Sequence, residues 1–327
     1  MMTRAIPLRL GAGAFLCAAA ALCAVLALTG QIHLSAIFGV PSGARDPAKA
    51  APRAPSSARS GGLVATLPQP SLVAVSHDAA GSEIDTANYA SATLHGRGSF
   101  LVYLPSSYGR TTRRYPVLYL LHGMDKRDSS FLDIGLQGTL DRLIARRAIQ
   151  PLIAVMIQGG PRRNYWRNHG PRRYESYVLE VQELVDRMLP TVADRSGRAI
   201  AGYSMGGYGA MNIALGHPER FSVVESWLGV FYGLQRELRA DRPLLSRMRL
   251  HAFLYGAASD EIADPSANAP FAAALRAAGA RAESAVYAGG HTFETLHAHL
   301  GGMLAFAGRA LAAARWSSLR ATGAGRR

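Results

Sequence analysis

Short apolar runs alternate with longer stretches of helical period between residues 91 and 314. Ser99-Phe100-Leu101-Val102-Tyr103-Leu104-Pro105 reads as a strand. After a basic turn at Arg110, Arg113 and Arg114, the run Tyr115–Leu121 lacks polar alternation, the mark of a strand buried on both faces of a parallel sheet. Ile134–Ala148 puts Leu136, Leu140, Leu143 and Ile144 on one helical face. Pro151–Ile157 is the next buried strand, and Tyr174–Leu189 is helical through Tyr177, Val178, Val181, Leu184, Val185 and Met188, with Pro190 just beyond. Strands follow at Phe221–Trp227, Leu250–Gly256 and Ala282–Tyr287. Helices follow at Asn268–Ala278, closed by Gly279, and at Glu294–Ala314. Gly159–Arg173 is a polar loop rich in glycine and arginine, holding Asn164, Tyr165, Trp166 and His169, and Gly229–Arg249 shows little pattern. The alternation predicts the α/β class, with one domain built on a mostly parallel central sheet and helices on both faces. No internal repeat is visible.

The ends of the chain read differently. Arg4 and Arg9 precede an uncharged stretch of Ala, Leu, Val, Phe, Gly and Cys from Gly11 to about Thr29, and weaker apolar character continues to Val40. A positive flank before an apolar core is the pattern of a signal peptide or signal-anchor, and such a stretch is long enough to span a bilayer. Residues 1–40 are therefore expected to hold the chain at the cytoplasmic membrane with the remainder outside, or to release it as a secreted protein if cleaved. Residues 41–90 are expected to form a linker, Ala/Pro/Ser-rich and disordered up to about Pro70, with Ser71–Tyr89 of no clear period. Residues 315–327 are expected to be a basic, fraying tail.

The formal charge of the 327 residues is +14, which suits an anionic neighbour such as lipid headgroups, but a solvated basic surface of an arginine-rich chain is the reading preferred. No nucleic-acid motif accompanies it, and no nucleic-acid partner is predicted. Both cysteines, Cys17 and Cys23, lie in the N-terminal apolar stretch, so the domain has no disulfide, thiol nucleophile or cysteine metal site. His122 and His169 lack the spacing and acidic company of a metal site, and no metal or cofactor is expected.

The chemistry concentrates in Arg198–Met211, where an apolar run ends in Gly202-Tyr203-Ser204-Met205-Gly206 and a small-residue helical stretch follows. Gly-x-Ser-x-Gly between a strand and a helix is the nucleophile elbow, with the serine on a sharp turn at the carboxyl end of the sheet. It makes Ser204 the candidate nucleophile and the Met205 N–H a candidate oxyanion donor. Ligands of such sheets lie beyond the carboxyl ends of the strands, so the partners of Ser204 are sought there. The loop after Gly256 offers Asp260, Glu261 and Asp264, of which Asp260 is favoured; Asp264 also reads as a turn or cap acid before Pro265. The loop after Tyr287 offers His291 as the base. Ser, then Asp, then His is the chain order of α/β-hydrolases, and this is the predicted fold. His297 and His299 fall in the last helix; His251 and His217 read as structural. His122, in the His-Gly pair after the second strand, is expected to shape the loop whose Gly123 or Met124 N–H gives the second oxyanion donor. His122, Tyr203, Trp166 and Phe293 are offered as pocket residues.

Tyr-Pro-Val-Leu-Tyr-Leu-Leu-His-Gly-Met (115–124), Tyr-Glu-x-Tyr-Val (174–178), Gly-Tyr-Ser-Met-Gly-Gly (202–207), Gly-x-x-x-Asp (256–260) and Gly-Gly-His-Thr-Phe (289–293) together resemble the esterase D/tributyrin esterase group. The antigen 85 mycolyltransferases share that broader family. The resemblance covers roughly Ala90–Phe306 and implies Ser204, Asp260 and His291 as a catalytic triad, with the backbone of Met124 and Met205 as oxyanion donors. It implies a serine carboxylesterase acting on small-molecule or lipid-like esters. An acyltransferase passing the acyl group to a sugar or other alcohol is the alternative, and a membrane-tethered binding module without catalysis is a third. Phe293 stands two residues past the histidine, where the family usually has an aromatic, often Trp.

Overall fold

The computed structural model describes residues 70–160, 163–240 and 242–321. The expected anchor at 1–40 and the Ala/Pro/Ser-rich part of the linker lie outside them. Among the described residues, no helix is long and apolar enough to cross a membrane.

Eleven strands are described: β1 (Leu72–His77), β2 (Glu83–Ser91), β3 (Gly96–Leu104), β4 (Val117–Leu121), β5 (Ile153–Ile157), β6 (Asn168–His169), β7 (Arg172–Arg173), β8 (Arg198–Tyr203), β9 (Val223–Trp227), β10 (His251–Ala257) and β11 (Arg281–Tyr287). Nine form one sheet in the order β1-β2-β3-β5-β4-β8-β9-β10-β11; β6 and β7 pair as a separate antiparallel hairpin. From β5 to β11 every neighbour is parallel, and the β1–β3 edge is antiparallel. The predicted mostly parallel sheet is present. β4, β5, β8 and β9 are buried at every position; β4 and β5 are accordingly unbroken apolar runs, whereas β8 opens on Arg198 and β9 buries Glu225 and Ser226.

Helices cover both faces. One core holds Tyr177, Val181 and Val185 of helix Tyr174–Met188, the elbow helix Met205–Gly216, and Phe271 and Leu275 of helix Asn268–Ala277. The other holds Leu136 and Leu140 of helix Leu136–Ala145, and Leu296, Leu300, Met303 and Leu304 of helix Phe293–Ala321. The elbow helix is buried from Met205 to Leu215, so it shows no polar stripe.

Three boundaries differ from the sequence reading. The domain begins before residue 91, because β1 and β2 are strands of the main sheet. β1 carries no buried alternation, since five of its six residues are exposed, and it is held through backbone pairing with β2. The last helix runs to Ala321 rather than ending at 314. The weakly patterned 229–249 stretch folds into two short helices, Leu234–Ala240 and Arg242–Met248, anchored by buried Leu234, Leu238 and Leu245. Helices this short hold too few apolar positions to show a period.

β4 is flanked by β5 on one side and β8 on the other, so chain direction across the sheet reverses at β4. The carboxyl ends of β4 and β8 therefore meet at the topological switch point, where open α/β sheets form their binding crevices.

Glu225 lies fully buried on β9, its Oε2 accepting from the Trp227 indole N–H at 2.9 Å. Burial pushes its pKa up to about 8. A carboxyl raised in the fold keeps a proton that the unfolded chain has released, so stability falls as pH rises from the unfolded carboxylate range, about 4.3, toward 8. Glu225→Gln, which keeps shape and hydrogen bonding, is expected to flatten that decline. Thermal melts of variant and wild type at pH 5 and pH 8 check it; an equal difference in Tm at both pH values counts against the assignment.

Candidate active site

Ser204 sits between β8 and the elbow helix with φ 56° and ψ −121°, a conformation costing a non-glycine residue about 1–3 kcal/mol. Its neighbours hold it there: the Ser204 N–H donates to Trp227 O at 2.8 Å, and the Tyr208 N–H donates to Ser204 O at 3.1 Å. The turn also needs a glycine at 206. A Cβ there would overlap the Leu121 carbonyl at the end of β4. The motif thus brings the elbow helix against β4 as well as β8.

His291 Nε2 lies 2.8 Å from Ser204 Oγ, and His291 Nδ1 lies 2.8 Å from Asp260 Oδ2. The Asp260 side chain is fully buried, and its Oδ1 accepts the Ile262 and Ala263 N–H groups at 2.8 Å each. A carboxylate only accepts, so Nδ1 carries the imidazole proton and Nε2 is free to accept from the serine hydroxyl. The β10 and β11 loops that carry Asp260 and His291 are tied together: Ser259 N–H donates to Gly289 O at 2.9 Å and Ala258 N–H to Tyr287 O at 2.8 Å. Gly289 adopts φ 119°, open to glycine alone at low cost, and the Gly290 N–H then reaches Thr295 Oγ1 at 3.1 Å. Of the other two carboxylates offered by the sequence, Glu261 is exposed, and Asp264 caps the turn at Pro265–Ala267 by accepting from the Ser266 N–H and hydroxyl at 2.9 and 2.8 Å.

His122 is buried behind the serine. The Gly159 N–H donates to its Nε2 at 2.9 Å, so the ring proton is on Nδ1, which donates to Gly123 O at 2.8 Å. Burial lowers the pKa of this imidazole and keeps it neutral. The Gly123 carbonyl is therefore pinned toward His122. In a trans peptide the following N–H, that of Met124, points the opposite way.

Two expected pocket residues are placed otherwise. Trp166 is fully buried: its indole N–H donates to His122 O at 3.1 Å, and its ring fills the space that the missing Cβ of Gly209 leaves. Tyr203 is buried and packs edge-on against Phe131 and Phe293 at 5.4 and 5.7 Å. Both support the site from beneath. Phe293 is half-buried beside it, with Lys126 Nζ 4.7 Å above its ring. His297 and His299 stand apart, the first bonded to Ile134 O and the second stacked on Tyr287. The sequence reading missed Gly159 as the partner of His122, and Tyr208 as the contact of Tyr165 and Arg167. Neither sits in a motif, and only the fold brings them together.

A strained serine at the switch point of a mostly parallel sheet, with histidine and aspartate from the last two strand loops, defines an α/β-hydrolase. Residues 91–307 match the Esterase family, and the chain belongs to it. An endo-1,4-beta-xylanase/feruloyl esterase of Xylanibacter ruminicola is 37% identical over 132 residues, which is 37% of this chain and 18% of that protein. Esterase Rv1288 of Mycobacterium tuberculosis is 34% identical over 134 residues, 39% of this chain and 28% of the relative. The chain thus spans less than a third of the length of these relatives. Among solved structures, a ferulic acid esterase superposes with a TM-score of 0.64 at 26% identity, covering 70% of this chain and 99% of that one. An S-formylglutathione hydrolase from Staphylococcus aureus, at TM-score 0.54 and 19% identity, covers 71% of this chain and 98% of its own and shares the fold.

Gly206→Ala is expected to destabilise the domain by about 3 kcal/mol, since the clash is with the β4 backbone rather than a movable side chain. Urea unfolding followed by far-UV circular dichroism measures it, and a variant as stable as wild type would show that the elbow is looser than described.

Proposed function

We propose that this chain is a serine carboxylesterase. The observation that carries the reading is the unbroken line from Ser204 Oγ through His291 to buried Asp260, both links 2.8 Å long. In this scheme His291 Nε2 takes the hydroxyl proton as Ser204 Oγ bonds to the ester carbonyl carbon. The tetrahedral oxyanion lies against the N–H of Met205, at the unsatisfied amino end of the elbow helix, and that of Met124 on the loop held by His122, with Gly123 beside it. As the bond to the alcohol oxygen breaks, His291 returns the proton to that oxygen and the alcohol leaves. Water then repeats the sequence on the acyl-enzyme, releasing the acid and restoring Ser204. Asp260 holds the imidazole in its Nδ1–H form and offsets its positive charge. The feruloyl esterases among the similar proteins support an ester substrate.

The N-terminal pattern of Arg4, Arg9 and the apolar residues that follow supports export, with the catalytic domain outside the cytoplasmic membrane. Protease added to intact spheroplasts should then degrade the domain, and full protection would overturn export.

Ser204→Ala is expected to lose about 10⁴-fold or more in kcat on 4-nitrophenyl esters, and Asp260→Asn about 10⁴-fold. A fluorophosphonate probe should label wild type and not Ser204→Ala. Turnover undiminished in Ser204→Ala would end the serine esterase reading.

A further inference from the structure

The loop between β5 and helix Tyr174–Met188 is the most strongly charged stretch beside the site. Between Gly159 and Tyr174 it holds five arginines and no carboxylate. It leaves the carboxyl end of β5, next to β4, and is fastened within one helical turn of the nucleophile. Gly159 bonds His122, Trp166 is buried on His122 and Gly209, Tyr165 meets the Tyr208 ring edge-on at 5.6 Å, and Arg167 donates to the Tyr208 hydroxyl at 3.1 Å. Tyr208 in turn donates its N–H to Ser204 O.

The loop is not relaxed. Arg163, Tyr165 and Trp166 have φ of 56°, 49° and 53°, a region non-glycine residues seldom adopt, and the burial of Trp166 and the Asn164 bond to its N–H hold the shape. What this shape presents to solvent is basic. Arg163 is exposed, as are Arg172 and Arg173, which form β7 of the β6/β7 hairpin opposite His169 and Asn168. Among the described residues, none of these three arginines has an ion pair with a carboxylate. A strained scaffold that holds unneutralised guanidinium groups on a loop fastened to the elbow helix fits an anion, which guanidinium binds through paired hydrogen bonds.

From this we infer that the Ser204 site takes esters carrying a carboxylate or phosphate on the acyl or the alcohol side, and that Arg163, Arg172 and Arg173 confer the preference. The inference rests on the esterase reading above. It narrows that reading to anionic esters.

Matched ester pairs test it on the full-length chain. The carboxylate arm compares mono-4-nitrophenyl succinate with 4-nitrophenyl butyrate. The phosphate arm compares monohexanoyl-glycerol 3-phosphate with monohexanoyl-glycerol. Wild type should favour the anionic member in at least one arm by about tenfold in kcat/KM, mainly through KM, and the ratio should fall as salt rises. The arm that shows it names the anion. The triple substitution Arg163→Gln, Arg172→Gln, Arg173→Gln should bring the ratio near one. Arg113→Gln, in the exposed turn before β4 at the opposite end of the strands, should keep it. No preference in either arm overturns the inference, as does a preference that survives the triple substitution or falls equally in Arg113→Gln. Ser204-dependent turnover without anion preference defeats this inference alone. Absence of Ser204-dependent turnover on every ester defeats the esterase reading and this inference with it.

Discussion

The site depends on one close approach. The elbow helix can start where it does only because residue 206 has no Cβ to meet the Leu121 carbonyl, so helix, β4 and β8 share one point of backbone contact. That contact fixes Ser204 in a conformation its side chain would otherwise avoid. It also sets Met205 at the first helical position and brings the loop after β4 beside the serine. The reacting geometry is thus a property of packed backbone, which cannot relax by changing rotamers.

Around that point the molecule is stiffened by hydrogen bonds between loops distant in sequence. The β5 loop reaches His122 through Gly159 and Trp166, and the β10 and β11 loops are laced through Ser259 and Gly289. Each bond satisfies a backbone group that the crevice would otherwise strand, and each also aims a functional side chain or peptide. His122 serves as such a strut: neutral, buried and bonded at both nitrogens, it orients a peptide. The electrostatic character of the crevice is divided accordingly. Its base holds a buried carboxylate with three hydrogen bonds, and on the β5 loop Arg163, Arg172 and Arg173 have no carboxylate ion pair among the described residues.

Much of this was legible in the sequence. The unbroken apolar runs at 115–121 and 151–157 announced central parallel strands, because strands covered on both faces have no polar side to show. The edge strand β1 escaped notice for the converse reason, since an exposed strand held by backbone bonds leaves little imprint on side-chain pattern, while β2 buries polar Asp85 and Ser91 beside Ile84 and Ala87 and so shows no apolar alternation. Trp166 and Tyr203 looked like pocket residues because large aromatics beside a motif commonly line one. Burial turned both into supports.

The sequence by itself determined the fold class and singled out Ser204 and His291 as candidates, since these rest on local strain, glycine placement and the order of strand-end loops. It also narrowed the acid to three carboxylates within five residues. Tertiary structure decided that Asp260 faces His291 while Asp264 caps a turn, and that His122 holds the Gly123 carbonyl. It decided too that a basic loop far from Ser204 in the chain lies against its helix. The physical reason is the same throughout. Local propensity follows from neighbours along the chain, whereas hydrogen-bond partners and burial are set by which strand ends the sheet topology brings together.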